Sequence, residues 1–296
     1  MVHLDKCPLC DSERFVLHAR CKDHFLSSEE FELVRCSGCG FVLTQDHPSV
    51  NDAGKYYESE DYISHNDNAT GFSNLLYRFS RNIMLRRKRR LVKEISGLKE
   101  GTLLDIGSGT GHFLNEMKNA GWETRGIEIS EKAREYSISK FGLEVLDPEN
   151  INSLETGSYD CVTLWHVLEH FQDPFTYVRE VHRLLKPGGK CLVAMPNCSS
   201  YDAVHYGRFW AAYDVPRHLW HFTPGTFRLF SEKEGFKLTG ICQLPLDVFY
   251  ISALSEKYKG SRLSFIKGML KGSWFALLSL FRKNRNSSLI YLLRRT

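Results

Sequence analysis

The chain has 296 residues, of which 42% are hydrophobic, and a formal net charge of +4. This length can bury one substantial core plus a small module, and so mild a charge does not by itself indicate a nucleic-acid-binding protein. The first ten residues lack an apolar signal region, and no stretch approaches the roughly 20 apolar residues that cross a bilayer. Together with an odd count of nine cysteines, these features predict a protein of the reducing cytoplasm.

Two cysteine pairs open the chain. Cys7 and Cys10 form one Cys-x-x-Cys pair, Cys36 and Cys39 form the other, and 25 residues separate them. This spacing is typical of a tetrahedral four-thiolate zinc site. About forty residues bury too little apolar surface to fold securely alone, so the zinc is expected to be structural. Iron in place of zinc and a metal-free disulfide pair are the alternatives.

A polar connector, residues 49–72, follows this predicted zinc-ribbon module of residues 1–48. Its aromatics Tyr57 and Tyr62 are candidate substrate contacts if the connector closes over the site as a lid, and a packed linker is the alternative. The next helix is predicted from about residue 73 to 95 and carries the basic run 86–90. Such a run is usually a solvated face, with contact to a phosphate-bearing substrate or an RNA backbone as the alternative.

The most informative segment is residues 103–111, an apolar strand that ends near Asp105 and continues into glycines at alternate positions. Gly107, Gly109 and Gly111 let the backbone pass close under a ligand. The spacing differs from the dinucleotide pattern G-x-G-x-x-G, because position 112 is His112. The carboxylate of Asp105 suits a ligand that bears an ammonium group.

Strands and helices alternate after this loop. A second strand ends at Glu128, 23 residues after Asp105, where an open α/β sheet presents a carboxylate to ribose hydroxyls. Further strands end near Asp147 and Trp165, and the last strand is predicted over 288–293. The alternation predicts an α/β fold with a parallel sheet and helices on both faces, next to the small zinc-binding module.

The glycine loop, Glu128, the His-Val-Leu-Glu-His segment 166–170 and the Leu-Lys-Pro-Gly-Gly segment 185–189 together resemble class I S-adenosylmethionine-dependent methyltransferases. The resemblance covers about residues 80–245 and is closest to the small-molecule branch of ubiquinone and sugar pathways. It implies a doubly wound, Rossmann-like α/β fold with a seven-stranded, mostly parallel sheet, S-adenosyl-L-methionine as the cofactor and a methyltransferase domain over 73–296. The cofactor-binding residues it implies are Asp105, Gly107, Ser108, Gly109, Gly111, His112, Phe113, Glu128, Ile129, Asp147, Trp165, His166 and His170.

Two insertions are expected to shape the substrate site. The first, residues 198–222, holds the densest group of polar aromatics at the carboxyl end of the sheet. An imidazole near its ordinary pKa can accept a proton, so the catalytic candidates are His218, His221 and His166. Hydrogen-bonded packing is the alternative. Candidate substrate contacts here are Trp210, Tyr213 and Arg217.

His166, Glu169 and His170 also match the metalloprotease pattern H-x-x-E-H, which would need a third ligand and a catalytic helix.

The second insertion, residues 245–287, includes an amphipathic helix or helix pair over 262–285. A covering element over the sheet or substrate, a dimer contact and a membrane-surface helix are all open.

These features predict methyl transfer to a small or carrier-linked metabolite, with sugar and lipid-pathway intermediates as candidate acceptors and oxygen, nitrogen or carbon as the acceptor atom. A zinc-assisted RNA methyltransferase and a non-catalytic scaffold that retains the fold are the alternatives. The oligomeric state is left open.

Overall fold

A computed structural model describes the backbone of residues 1–57 and 72–296 and the side chains of residues 1–57 and 81–296. Tyr62 lies outside the described residues. Within these ranges eleven strands form two sheets. The strands are β1 (Phe15–Lys22), β2 (Glu30–Cys36), β3 (Val42–Thr44), β4 (Thr102–Ile106), β5 (Glu123–Ile127), β6 (Glu144–Leu146), β7 (Tyr159–Trp165), β8 (Leu185–Pro196), β9 (Trp220–His221), β10 (Phe236–Leu244) and β11 (Ser288–Arg295).

The larger sheet has seven strands in the order β10-β11-β8-β7-β4-β5-β6. The five strands from β8 to β6 run parallel, and β11 lies antiparallel between β8 and β10. The central strands β4 and β7 are buried along almost their whole length, as expected where helices cover both faces of a sheet. The predicted seven-stranded, mostly parallel α/β fold is therefore confirmed.

Helices connect these strands and cover the sheet. They are α1 (Val50–Ala53), α2 (Phe72–Ser96), α3 (His112–Lys118), α4 (Glu131–Phe141), α5 (Pro174–Leu184), α6 (Tyr201–Tyr206), α7 (Pro224–Lys233), α8 (Asp247–Tyr258) and α9 (Ser264–Phe281). Sequence-encoded caps set several starts: the side chains of Ser130, Asp173 and Thr223 accept hydrogen bonds from the first turns of α4, α5 and α7. In the described parts of the chain, no helix is long and apolar enough to cross a membrane.

Helix α2 packs on the sheet through its carboxyl-terminal half. Val92 is fully buried, Leu91 and Ile95 pack against the same core, and Ile83 is exposed. The basic run 86–90 is also divided, because Lys88 turns toward the sheet while Arg86, Arg87 and Arg90 remain exposed. The inward turn of Lys88 follows from the helical period, which brings positions four residues apart, 88 and 92, onto one face.

The smaller sheet joins the amino-terminal module to the part of the chain that forms the large sheet. Its order is β1-β2-β3-β9, so its edge strand comes from residues 220–221 rather than from the module itself. Val42 pairs with His221 and Leu43 with Trp220 in antiparallel register. The ring of Trp220 also stacks on Phe41. The first insertion is therefore built into the sheet of the cysteine module.

Candidate functional site

The loop after β4 lies at the carboxyl edge of the large sheet. Gly107, Gly109 and Gly111 all have positive φ angles, between 53° and 74°, which a residue with a Cβ rarely adopts. A Cβ on Gly107 would overlap the side chain of Val167, and one on Gly111 would overlap Leu143 and Ser137. A Cβ on Gly109 would meet no described atom within 4 Å. The middle glycine therefore borders open space, whereas its two neighbours are tightly packed.

Asp105 lies beneath this loop and is almost fully buried. Its carboxylate accepts a hydrogen bond from Thr163 Oγ1 at 2.6 Å. Burial raises the pKa of Asp105 to about 7, and the nearby negative charge of Glu128 acts in the same direction, against the hydrogen bond from Thr163 and the charge of Lys88. A cation that displaces water here would favour the ionised carboxylate.

The ammonium group of Lys88, on α2, lies near Asp105 at this edge of the sheet. Its ammonium lies 4.2 Å from the ring centre of Trp165 and 5.8 Å from that of Phe113. Desolvation lowers the pKa of Lys88 to about 8, although the carboxylates of Asp105 and Asp247 counteract this effect. The aromatic faces and the acid thus make a pocket wall that accommodates positive charge.

Glu128 follows β5 and faces the glycine loop. One carboxylate oxygen accepts from Gly109 N–H and the other from Ser130 N–H, both at 2.8 Å. Asp105 and Glu128 therefore flank the same loop from adjacent parallel strands, as the sequence predicts for a nucleoside bearing an ammonium group.

The other predicted cofactor residues lie around this edge in different settings. Ile129 is largely exposed beside Glu128, and Phe113 packs edge-to-face on Trp165. His112 starts α3 and packs against Phe141. Asp147 forms an ion pair with Arg134 and caps the following turn. Their contact with a cofactor remains a prediction.

S-adenosylmethionine, which the sequence resemblance implies, can be tested against these residues. Two polar atoms at this edge, Ser108 Oγ and Trp165 Nε1, are buried and have no hydrogen-bond partner among the described residues. The space beside Gly109, two carboxylates and two unsatisfied donors suit a ligand with hydroxyl, amino and cationic groups. The residues present therefore fit this cofactor.

The turn after β7 holds a cluster of ionisable groups. His166 has a positive φ of 59° and pairs with Asp247 at 3.0 Å through Nε2 and with Glu169 at 3.4 Å through Nδ1. Burial alone would lower the pKa of His166, but these two carboxylates raise it to about 10. The two carboxylates therefore favour the protonated form of His166, and its catalytic role stays a prediction.

Glu169, His170 and His218 lie together beside this pair, with one ligand atom from each within 4.8 Å of the others. Glu169 is buried, and apart from the ion pair of Oε1 with His166 its two oxygens have no hydrogen-bond partner among the described residues. His170 Nδ1 lies 3.1 Å from the Arg217 carbonyl and 3.2 Å from the Tyr57 hydroxyl. Burial, followed by the charge of His218, lowers the pKa of His170 to about 4. This group has the donor atoms of a metal site, but it lies on a turn and a loop rather than on a metalloprotease helix.

His218 completes this cluster, and its catalytic role stays a prediction. Its Nδ1 lies 2.9 Å from the Ala212 carbonyl, and its Nε2 lies 4.0 Å from Asp214 Oδ2. The ring packs edge-to-face on His170. The hydrogen bond from Leu219 N–H to the Glu169 carbonyl holds its loop against the turn after β7.

The remaining predicted residues of this insertion are partnered inside the fold. His221 contacts Thr44 Oγ1 at 2.9 Å, and burial holds its pKa far below the ordinary value. Trp210 and Tyr213 are buried, with hydrogen bonds to Asp202 and His18 respectively. Arg217 is buried in ion pairs with Asp23 and Asp214. Their roles in catalysis or substrate contact remain predictions, and these partners give each a place in stabilising the fold.

The four cysteines of the first 39 residues also come together. The Sγ atoms of Cys7 and Cys39 are 3.7 Å apart, and those of Cys10 and Cys36 are 3.5 Å apart. Zinc–sulfur bonds of about 2.3 Å in a tetrahedron place sulfurs roughly 3.8 Å from one another. Burial raises the pKa of Cys7 to about 11, whereas for Cys36 burial is outweighed by the N–H groups of Cys39 and Gly38, which bring it to about 6. The geometry fits zinc, and a cation would hold all four as thiolates.

Sequence reasoning missed three residues of the site: Lys88, Thr163 and Asp247. Lys88 was hidden within a basic run, and Asp247 lies beyond the end of β10, far from the motifs in sequence. A signal for Thr163 was available, because a polar residue in the middle of an apolar strand needs a partner, which here is Asp105.

The family comparison agrees with this architecture. A family described as "Methyltransferase domain" matches residues 78–240, more than half of the chain. The protein therefore belongs to this family and carries a class I S-adenosylmethionine-dependent methyltransferase domain.

Among curated proteins, the chain is similar to a ubiquinone biosynthesis O-methyltransferase of Bordetella avium, with 34% identity over 106 residues, 33% of this chain and 44% of that protein. An enzyme of the same name from Cupriavidus pinatubonensis is 29% identical over 172 residues, 53% of this chain and 69% of that protein. The chain spans about half the length of several such relatives.

Solved structures show the same fold. A candidate sarcosine dimethylglycine methyltransferase from Galdieria sulphuraria superposes with a TM-score of 0.51 at 15% identity, over 74% of this chain and 86% of that one. A candidate methyltransferase in complex with the Haloferax volcanii Trm112 activator gives 0.50 at 16%, over 72% and 92%.

Proposed function

We propose that the protein transfers a methyl group from S-adenosylmethionine to a small or carrier-linked metabolite. The observation that carries this proposal is the pair Asp105 and Glu128, which flank a glycine loop whose middle residue borders open space. When bound, S-adenosylmethionine supplies a methyl group that is electrophilic because it is attached to a sulfonium.

The residues around the loop have distinct parts in this proposal. Glu128 holds the ribose hydroxyls, and Gly107 and Gly109 let the backbone approach the methionine portion. Asp105, with its pKa near 7, ionises fully beside a cation. Trp165 and Phe113 close the wall on which Lys88 now lies, and they exclude water from the cationic centre.

His218 would accept the proton that an attacking hydroxyl or amine loses. Because Nδ1 donates to the Ala212 carbonyl, Nε2 is the nitrogen that would accept this proton, and the Asp214 carboxylate 4.0 Å away would stabilise the resulting cation. General-base help of this kind contributes about 10²- to 10⁴-fold. Protonated His166, held by Asp247 and Glu169, would instead orient the acceptor or stabilise negative charge.

The acceptor is proposed to be a small metabolite, with sugar and lipid-pathway intermediates as the candidate classes. The curated relatives are named for ubiquinone biosynthesis, which is consistent with an acceptor that carries a lipid chain. Contact with a membrane through residues 262–285 would give access to such an acceptor. A cytoplasmic location belongs to the proposal on the ground of the odd count of nine cysteines.

A structural zinc ion at Cys7, Cys10, Cys36 and Cys39 is part of the proposal. Four thiolates leave no open coordination position, so the ion would stabilise the module and take no part in methyl transfer. Purified protein should contain one zinc per chain by elemental analysis. Cys10→Ser should lose the metal and lower the melting temperature, whereas Cys242→Ser, outside the cluster, should retain the metal.

Calorimetry with S-adenosylhomocysteine tests cofactor binding. Wild-type protein should bind it, and Asp105→Asn and Glu128→Gln should each weaken binding at least tenfold. Glu123→Gln is the matched control, because Glu123 starts the strand β5 that Glu128 follows and is exposed at the opposite edge of the sheet. Equal affinities for all four proteins would contradict the proposal. A screen with labelled S-adenosylmethionine against sugar nucleotides, lipid intermediates and RNA would then identify the acceptor.

The RNA alternative calls for a continuous basic face. Within the run 86–90, Lys88 faces the pocket, Arg89 pairs with Glu116 at 2.8 Å, and Arg87 donates to the Gln243 carbonyl. This division of the run favours a small-molecule acceptor over RNA.

A further inference from the structure

Helix α9 packs on the protein with its small residues and presents its large apolar residues to solvent. The buried positions are Gly268, Gly272, Phe275 and Ser279. A Cβ on Gly268 would lie only 2.2 Å from Ala253 Cα, and one on Gly272 would lie 3.1 Å from Phe249 Cα. The glycines therefore let α9 approach the backbone of α8, as small residues do in tightly crossed helix pairs.

The opposite side of α9 is an apolar surface without a partner among the described residues. Its six most exposed large side chains have between 56% and 82% of their surface accessible. They are Phe265, Ile266, Leu270, Trp274, Leu280 and Phe281. Scattered single exposures are ordinary, but six on one side of one helix indicate an interaction surface. We call this set the α9 face.

Positive charge surrounds the α9 face. Residues 257–285 contain eight lysines and arginines and no aspartate or glutamate. The 256 residues before them contain 29 basic and 35 acidic residues, so the positive charge is concentrated in this segment. Arg262 and Lys267 are exposed near the start of the helix, and Arg282 and Lys283 are exposed just after it.

The apolar α9 face and its flanking positive charges together favour one binding partner over the others that an apolar surface could bind. A second copy of the chain in a two-fold dimer would bring the same cations against one another. If α9 covered the site, its large apolar side chains would face inward. The side of α9 that faces inward instead carries the glycines. An anionic phospholipid bilayer supplies both an apolar interior and negative headgroups.

We infer that the α9 face docks on the surface of an anionic phospholipid bilayer, with α9 lying in the plane of the membrane. The helix has 18 residues, about 27 Å of length at 1.5 Å per residue, and the described helices include none apolar enough to cross a bilayer. Its apolar side chains enter the headgroup boundary while the flanking cations contact lipid phosphates.

The docking surface connects directly to the site. Helix α8, on which α9 packs, begins with Asp247, whose carboxylate lies 3.0 Å from His166 Nε2. Only helix α8 therefore lies between the α9 face and His166, and a docked enzyme would hold its site close to the lipid surface. Resting on the proposed function, this arrangement indicates that the methyl acceptor is carried by a lipid chain in the membrane.

Tryptophan fluorescence offers a direct test. Of the five tryptophans, Trp274 is 57% exposed, and Trp122, Trp165, Trp210 and Trp220 are buried. Vesicles of phosphatidylcholine with one quarter phosphatidylglycerol should shift the emission to shorter wavelength, and brominated lipid should quench it. Trp274→Phe should bind the vesicles in a sedimentation assay without either optical change. Vesicles of phosphatidylcholine alone should bind at least tenfold more weakly.

The double variant Ile266→Glu with Leu270→Glu should lose vesicle binding at least tenfold while it keeps wild-type affinity for S-adenosylhomocysteine. Leu229→Glu, at an exposed leucine on α7, is the control and should bind vesicles normally.

The inference is overturned if wild-type protein does not sediment with anionic vesicles, or if the double variant binds them as tightly as the wild type. A dimer in sedimentation velocity that the double variant dissociates would overturn it in favour of a second copy. Vesicle binding without S-adenosylhomocysteine binding would sink the proposed function and leave the docking intact.

Discussion

The guanidinium of Arg217 lies 2.9 Å from the carboxylate of Asp23, although 194 residues separate them in the sequence. Their side chains are 1% and 0% exposed. Arg217 also contacts Asp214 at 2.6 Å and the Tyr56 carbonyl at 3.2 Å. This one side chain therefore ties the cysteine module, the start of the connector and the loop of His218 together.

Loss of this arginine should destabilise the whole protein. Arg217→Met leaves two carboxylates without their cation, and removing one member of a buried pair costs about 3–5 kcal/mol. Arg20→Ala, which breaks the exposed pair with Glu32, should cost about 1 kcal/mol or less. Urea unfolding curves give both values. Equal losses in the two variants would contradict the structural role given to Arg217.

The loop glycines should separate cofactor binding from folding. Gly109→Ala should weaken S-adenosylhomocysteine binding at least tenfold, because its Cβ enters the open space beside the loop. It should also cost about 1–2 kcal/mol of stability, because φ at this position is positive. Gly111→Ala adds overlap with Leu143 and Ser137, worth about 1–3 kcal/mol more. Gly188→Ala is the control: its φ is +75° and its Cβ also meets open space, away from the loop. It should match Gly109→Ala in stability and the wild type in affinity.

His218 and His221 should behave differently in kinetics. His218→Gln should lower kcat by about a hundredfold or more, with unchanged affinity for S-adenosylhomocysteine, if Nε2 accepts the proton. His221→Gln should instead reduce stability by about 1–3 kcal/mol, because the buried hydroxyl of Thr44 loses a partner. Steady-state rates and unfolding curves on both variants check this division, and a catalytic loss confined to His221→Gln would reverse the assignment.

His166 should make stability depend on pH. Its pKa in the folded protein, about 10, lies above the ordinary 6.5, so its ion pairs stabilise the fold fully below pH 6.5 and progressively less as the pH rises toward 10. We expect the free-energy difference between wild type and His166→Gln to narrow over this range in denaturant titrations. A difference that stays constant from pH 6 to pH 10 would show that His166 does not hold its proton more tightly when folded.

Local sequence patterns predicted the central architecture because the relevant residues are close in the chain. The strand before Asp105, the three alternating glycines and Glu128 each follow from short motifs. The order of strand and helix signals predicted a parallel sheet with helices on both faces, and the resemblance to methyltransferases added the count of seven strands. The gathering of Cys7, Cys10, Cys36 and Cys39 followed from two compact turns of fixed spacing.

Other features depend on contacts between distant segments, which a single sequence does not display. The ion pair between His166 and Asp247 joins positions 81 residues apart, so no local pattern predicted the raised pKa of His166. The periodicity of the apolar stripe on α9 left a covering element, a dimer contact and a membrane-surface helix open, whereas the glycines at 268 and 272 determine which side packs. Their four-residue spacing was the available signal.

Strand β9 gives the cysteine module a dependence on residues far along the chain. If the first 48 residues were removed, Trp220 and His221 would lose the ladder partner supplied by β3, and their backbone would become an open edge able to recruit other chains. Conversely, the amino-terminal piece alone would lack its fourth strand. The cysteine module and the rest of the chain are therefore not independent folding units. An enzyme that lacks the first 48 residues is expected to aggregate even though its entire cofactor loop is intact.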